Sequence, residues 1–150
     1  MSTTIVDARL RRFLLGLTAF IFIGTVIELW LSEHMQETLQ WIPFILSAMG
    51  FLAVGAVWYR PSRQTIRVLR GVMTLVALGS IAGIYFHLSG NFEFELEMRP
   101  GVAATDVIME ALKGADPLLA PGILALAALL AIAATYYHPA LQDSAADVTG

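Results

Sequence analysis

The sequence predicts an all-α membrane protein: a four-transmembrane-helix bundle with an exterior loop that carries a short extended segment and a short amphipathic helix. Three observations carry that expectation. Hydrophobic residues make up 57% of the 150 positions and charged residues 14%, where a soluble domain typically has about 25% charged. Apolar runs long enough to cross hydrocarbon recur four times. The arginines then fall on one side of those runs. A chain this short, with a mean hydropathy of +0.72, has too much surface to hide its apolar residues in one soluble core.

A helix rises about 1.5 Å per residue, so about 20 apolar residues cross the bilayer. The expected spans are residues 13–31, 41–59, 71–88 and 118–137. The first is charged only at Glu28, the second and fourth are uncharged, and the third carries His87. Hydrocarbon leaves no water for backbone amides, so runs of this length must be helices. Arg9, Arg11 and Arg12 precede an apolar stretch too long for a signal-peptide core, with no small-residue cleavage pattern after it; the first span is read as uncleaved. Residues 1–139 form one transmembrane domain and 140–150 a short cytoplasmic tail.

Orientation follows from the arginines. Arg9, Arg11, Arg12, Arg60, Arg63, Arg67 and Arg70 lie on one side, against Arg99 and Lys113 on the other. The positive-inside rule places the first group, and both termini, in the cytoplasm of a multi-pass plasma or inner membrane protein. Trp30, Trp41 and Tyr85 mark the outer interface, and Trp58, Tyr59, Tyr136 and Tyr137 the inner one. Residues 32–40 and 60–70 read as short loops and 89–116 as a long exterior one. Within the last, residues 91–98 alternate apolar and acidic side chains with a period of two, which predicts an extended segment. Thr105 is expected to cap a helix over 106–113, stopped by Gly114. Asp116-Pro117 opens the fourth span, which Pro121 is expected to kink.

Small residues favour close helix packing in lipid. Gly79 and Gly83 on the third span, and the alanines between 125 and 134, predict packing within one bundle, or else a homo-oligomer contact. Polar residues inside the spans are the functional candidates. Thr18, Thr25, Glu28 and Ser32 fall on one face of the first helix. Glu28 lies about one turn from its outer end, where a carboxylate needs a partner, a proton or interfacial water. His87 shares a face with Gly79 and Gly83. Topology puts Glu28, His87 and His34 at the same outer level, with Glu33, Asn91 and Glu93 near in sequence. Glu28 and His87 are expected to form a coupled pair. A His/carboxylate set such as His34, His87 and Glu28 suits zinc, copper or iron, or a proton relay. Its spacing matches no metal motif, and no cofactor is predicted. Arg60, Arg63, Arg67 and Arg70 are candidates for anionic lipid headgroups.

Much is excluded. The chain has no cysteine, hence no disulfide, thiolate metal site or dithiol chemistry. It carries no catalytic motif, so an enzyme is not expected. The basic cluster is small and juxtamembrane, so nucleic acid is not a partner. Two readings remain. The leading one is an accessory or interaction subunit, with an exterior loop that caps the bundle or docks another membrane protein. The alternative is an ion-, proton- or metal-handling transporter or redox protein working through Glu28 and His87.

Overall fold

In a computed structural model, described for residues 3–114 and 118–141, every regular element is helical. Five α-helices follow one another: α1 (Thr3–Leu31), α2 (Ile42–Tyr59), α3 (Arg63–Met98), α4 (Ala104–Lys113) and α5 (Leu119–Ala134). α1 and α3 each pack against both α2 and α5, closing a ring of four, and α4 packs on α3. The core of the ring holds Phe22, Val54, Ile66, Leu69, Met73 and Val76, with the alanine face of α5 at 127, 128, 131 and 134.

Three helical segments, Ile5–Leu31, Thr38–Tyr59 and Arg63–Met98, are long and apolar enough to cross a membrane. Only 22%, 28% and 22% of their most apolar windows is buried inside the chain. Phe20 and Leu52 are 71% and 70% exposed. A soluble monomer rarely shows contiguous apolar surface on this scale. α5 has 16 residues, about 24 Å at 1.5 Å per residue, and is shorter than the other three.

Local chemistry explains each boundary. The bases of α2 and α3 meet through residues 60–62 alone, so the expected loop 60–70 is mostly helix. Ser62 starts α3: its hydroxyl accepts from the Thr65 N–H at 3.1 Å, and its own N–H donates to the Thr65 hydroxyl at 2.9 Å. That reciprocal pair satisfies two donors otherwise unpaired at a helix start. Pro121 lies in the first turn of α5, where its missing N–H costs no intrahelical bond. The kink expected there is replaced by a helix start. Asp116-Pro117 and the tail 142–150 lie outside the described residues.

The extended segment is a correction. Residues 91–98 continue α3 to a total of 36 residues, about 54 Å at 1.5 Å per residue. Alternation alone does not make a strand. Glu, Leu and Met are good helix formers, extension of an existing helix needs no new nucleus, and no second strand is present among the described residues to pair with. Phe92 and Leu96, four apart, are half-buried, while Phe94 and Met98 are exposed. Glu95 and Arg99 pair across one turn at 3.4 Å, and Pro100-Gly101 then stops the helix. The long loop therefore shrinks to a turn and α4. α4 begins one residue before Thr105, with Ala103 as its N-cap; the Thr105 hydroxyl instead faces the Asp106 carboxylate at 3.4 Å. Val107 and Ala111 are buried, but Ile108 and Leu112 are exposed. Gly114 ends α4 where α3 comes close: a side chain there would overlap the amide of the buried Asn91.

Candidate binding site at the histidine end

Five of the polar residues singled out in the sequence line one hollow of about 270 Å³ between α1, α3, the start of α2 and the start of α5. Glu28 comes from the last turn of α1 and Ser32 from the residue just after it, with the buried Thr25 one turn deeper. His87 comes from α3 and His34 from the turn after α1. Pro43, Ala120, Pro121 and Leu124 supply much of the apolar wall.

The turn after α1 explains how His34 arrives there. Its N–H donates to the Leu29 carbonyl at 3.0 Å, and the Glu33 N–H donates to Trp30 at 3.2 Å. Glu33 takes φ +52°. These are the two bonds and the left-handed residue of a Schellman stop, usually built on glycine. The reversal leaves Glu33 exposed and brings His34 back to half-buried cover. A non-glycine residue in this conformation costs about 1–2 kcal/mol. Glu33→Gly is therefore expected to be neutral or to stabilise by up to about 1 kcal/mol, and Glu33→Val to destabilise by more than about 1 kcal/mol. Unfolding in detergent measures both, and equal stability of the two variants would contradict the strained turn.

His87 is set by packing below it. Gly83, one turn earlier, lets Pro121 approach: a Cβ at Gly83 would lie 3.0 Å from the Pro121 Cβ. The Ser80 hydroxyl donates to the Pro121 carbonyl. Gly79 admits Leu46 of α2 in the same way. Both glycines thus serve contacts within this chain. The imidazoles of His34 and His87 stand with centroids 6.4 Å apart, tilted by 38°. Nδ1 of His87 is buried with no hydrogen-bond partner among the described residues.

Glu28 is exposed rather than enclosed, and makes no ion pair or hydrogen bond to His87; the two share the hollow without touching. Glu28 also borders a second hollow, of about 380 Å³, formed with Leu119, Ala120, Gly122, Ile123 and Leu126 of α5. Leu119 and Leu126 are exposed on this side, so it is a groove along the outside of the α1/α5 contact. The other candidates lie elsewhere. Asn91 is buried at the contact of α3 with α4, while Glu33 and Glu93 are exposed and line neither hollow. Among the described residues no three His, Cys, Asp or Glu side chains are grouped to hold a metal ion. Sequence reasoning did not place Pro43, Ala120 and Pro121 at the site, because they carry no polar signal.

The opposite end is organised by arginine. Arg70 donates to the Thr135 hydroxyl and carbonyl, both at 3.0 Å. Arg11 donates to the Tyr137 carbonyl at 3.1 Å and Arg63 to the Leu141 carbonyl at 3.0 Å. Carbonyls at a helix C-terminus lack intrahelical donors and attract positive charge. Arg63 and Arg70, expected at lipid headgroups, are thus engaged by the protein; Arg60 and Arg67 remain exposed. His138 sits in this cluster, its Nδ1 accepting from the Ala140 N–H at 3.2 Å. Burial and then the nearby Arg11 guanidinium hold its pKa below the ordinary histidine value. The folded state therefore binds fewer protons, and the stabilisation is complete above about pH 6.5 and lost as pH falls through the lowered folded value. His138→Gln is expected to flatten the fall in melting temperature between about pH 7.5 and 5; an unchanged slope would contradict it.

Comparison with protein-family models, with curated proteins and with solved structures gives no match for this chain.

Proposed function

We propose that this is a small multi-pass membrane protein that binds a small ligand at the outer end of its helical bundle, without carrying out chemistry on it. In this reading α1, α2, α3 and α5 all cross the cell membrane, with both termini in the cytoplasm. Support comes from the exposed apolar surface of the ring and from exposed aromatic residues at two levels: Trp30, Trp41 and Tyr85 near one end, and Trp58, Tyr59, Tyr136 and Tyr137 near the other. α5 is the short member, at about 24 Å against a hydrocarbon core of about 30 Å. Its first turn ends at the hollow, so the space it leaves is the space a ligand occupies.

The observation that carries the binding reading is the convergence of Glu28, His34 and His87 on one cavity, with Nδ1 of His87 buried and unpartnered. A buried imidazole nitrogen without a partner costs free energy, which a ligand group that parted the wall beside it would recover. Transport is not favoured: below Thr25 the core holds Phe22 and the alanine face of α5, and among the described residues its buried polar groups are uncharged hydroxyls such as Thr18 and Ser47. The test is native mass spectrometry of protein taken from its own membrane into nanodiscs without delipidation. A bound small molecule is expected in wild type and lost in Glu28→Gln/His87→Phe. A wild-type spectrum without it would overturn the reading. Orientation has its own test in this cysteine-free chain. Glu97→Cys should react with an impermeant thiol reagent in intact cells and Gln64→Cys should not, and the reverse would invert the topology.

A second reading, an accessory subunit that docks a partner outside the membrane, has one observation in its favour. The projecting end of α3 and α4 exposes Phe94, Met98, Ile108 and Met109 together. It needs no ligand, and would stand alone if none is found.

A further inference from the structure

The binding site has two parts that share two residues, and together they describe the ligand. Resting on the reading above, we infer that the ligand is an uncharged amphiphile that enters from the bilayer: its hydroxyl-bearing head, about the size of one ring, sits among Glu28, His34 and His87, and its hydrocarbon tail lies in the groove along α5.

Four observations lead there. Glu28 and Ala120 border both the hollow and the groove, so the two are adjoining. The hollow, at about 270 Å³, is smaller than most drug-sized sites, which begin at about 300 Å³, and so takes a head and not a whole lipid. No arginine or lysine lines it. A phosphate or carboxylate head would meet the acidic Glu28 with no cation to balance it, and isolated anions are expensive away from water. The available groups are mixed instead: a carboxylate that accepts, imidazoles that offer one donor and one acceptor each, and hydroxyls that do either. A hydroxyl head both donates and accepts and satisfies such a set, whereas an ammonium head only donates. The groove is apolar beyond Glu28. Leu119, Gly122, Ile123 and Leu126 fall at one helical face of α5, and the absence of a side chain at Gly122 deepens it.

Gly122 supplies the discriminating variant, because nothing lies within 4 Å of where its Cβ would be. Gly122→Leu extends a side chain from that open position into the groove; Ile123→Trp enlarges the next groove residue and serves as the second variant. Delipidated protein in one detergent is titrated calorimetrically with phenol, 4-decylphenol, decanoate and decylamine. Wild type is expected to bind 4-decylphenol about ten-fold or more tightly than phenol, because the tail buries apolar area. Both groove variants should lose that gain while keeping phenol affinity within about two-fold, and His87→Phe should weaken both phenols about ten-fold. Because every protein is measured in the same micelles, tail partitioning cancels between them. A tail gain that survives in both groove variants overturns the inference, as does decanoate or decylamine binding as well as 4-decylphenol. Phenol binding with no tail gain overturns it and leaves the binding site standing. If neither phenol binds, the inference fails, and the native mass spectrum decides separately whether a site exists.

Discussion

Gly50→Val is expected to be the most destabilising single substitution in the core, with a loss of about 2–4 kcal/mol. Gly50 is buried on α2, and a Cβ built there would overlap the tip of the Phe22 ring. Phe22 is itself 1% exposed and enclosed in the core. Valine adds branched bulk to that overlap, and close-packed interiors respond to added volume by forced rotamers and backbone shifts. The measurement is denaturant unfolding of the purified protein in detergent. Removing the obstruction should help: Phe22→Leu/Gly50→Val is expected to lose less than the two single losses combined, with a coupling of about 1–3 kcal/mol. Additive losses would show that the α1/α2 contact is not made at this pair.

Arg70→Met should cost about 2–4 kcal/mol, a sum over two charge-assisted hydrogen bonds worth about 1.5–3 kcal/mol each, discounted for partial exposure. The partner, Thr135, is fully buried at the end of α5. Its hydroxyl keeps a bond to the Ile132 carbonyl at 2.8 Å, but its own carbonyl loses the Arg70 donor. Methionine preserves the length of the side chain, so the loss reports the guanidinium and not packing. Arg70→Lys should recover less than half of it, because an ammonium on a flexible stem does not reproduce the two parallel donors of the guanidinium fork. The two variants compared by unfolding in detergent give the answer. A lysine variant as stable as wild type would mean that charge alone, and not the fork, holds the end of α5.

These two positions also mark where sequence stops and structure begins. The period and length of the apolar runs determined that the chain is helical, because a backbone without water must bond to itself. The run of Thr18, Thr25, Glu28 and Ser32 at helical spacing determined a polar stripe on the first helix. Antiparallel topology determined that Glu28, His34 and His87 belong to one end. All of this is local, or follows from counting spans, and could be read along one dimension.

Tertiary structure decided the rest. Alternation over residues 91–98 was consistent with a strand, but a strand needs a partner and α3 needed only to continue. Whether Glu28 meets His87 depends on helix rotation and tilt, which set them around a shared hollow and not in contact. Which of the arginines stay exposed depends on how the chain leaves α5, since the carbonyls of Thr135, Tyr137 and Leu141 take Arg70, Arg11 and Arg63 and leave Arg60 and Arg67 exposed. The hollow is the clearest case. It exists because α5 starts at Leu119 beside longer neighbours and because Gly83 admits Pro121. A cavity is the space several elements fail to fill together, and the sequence of any single element does not contain it.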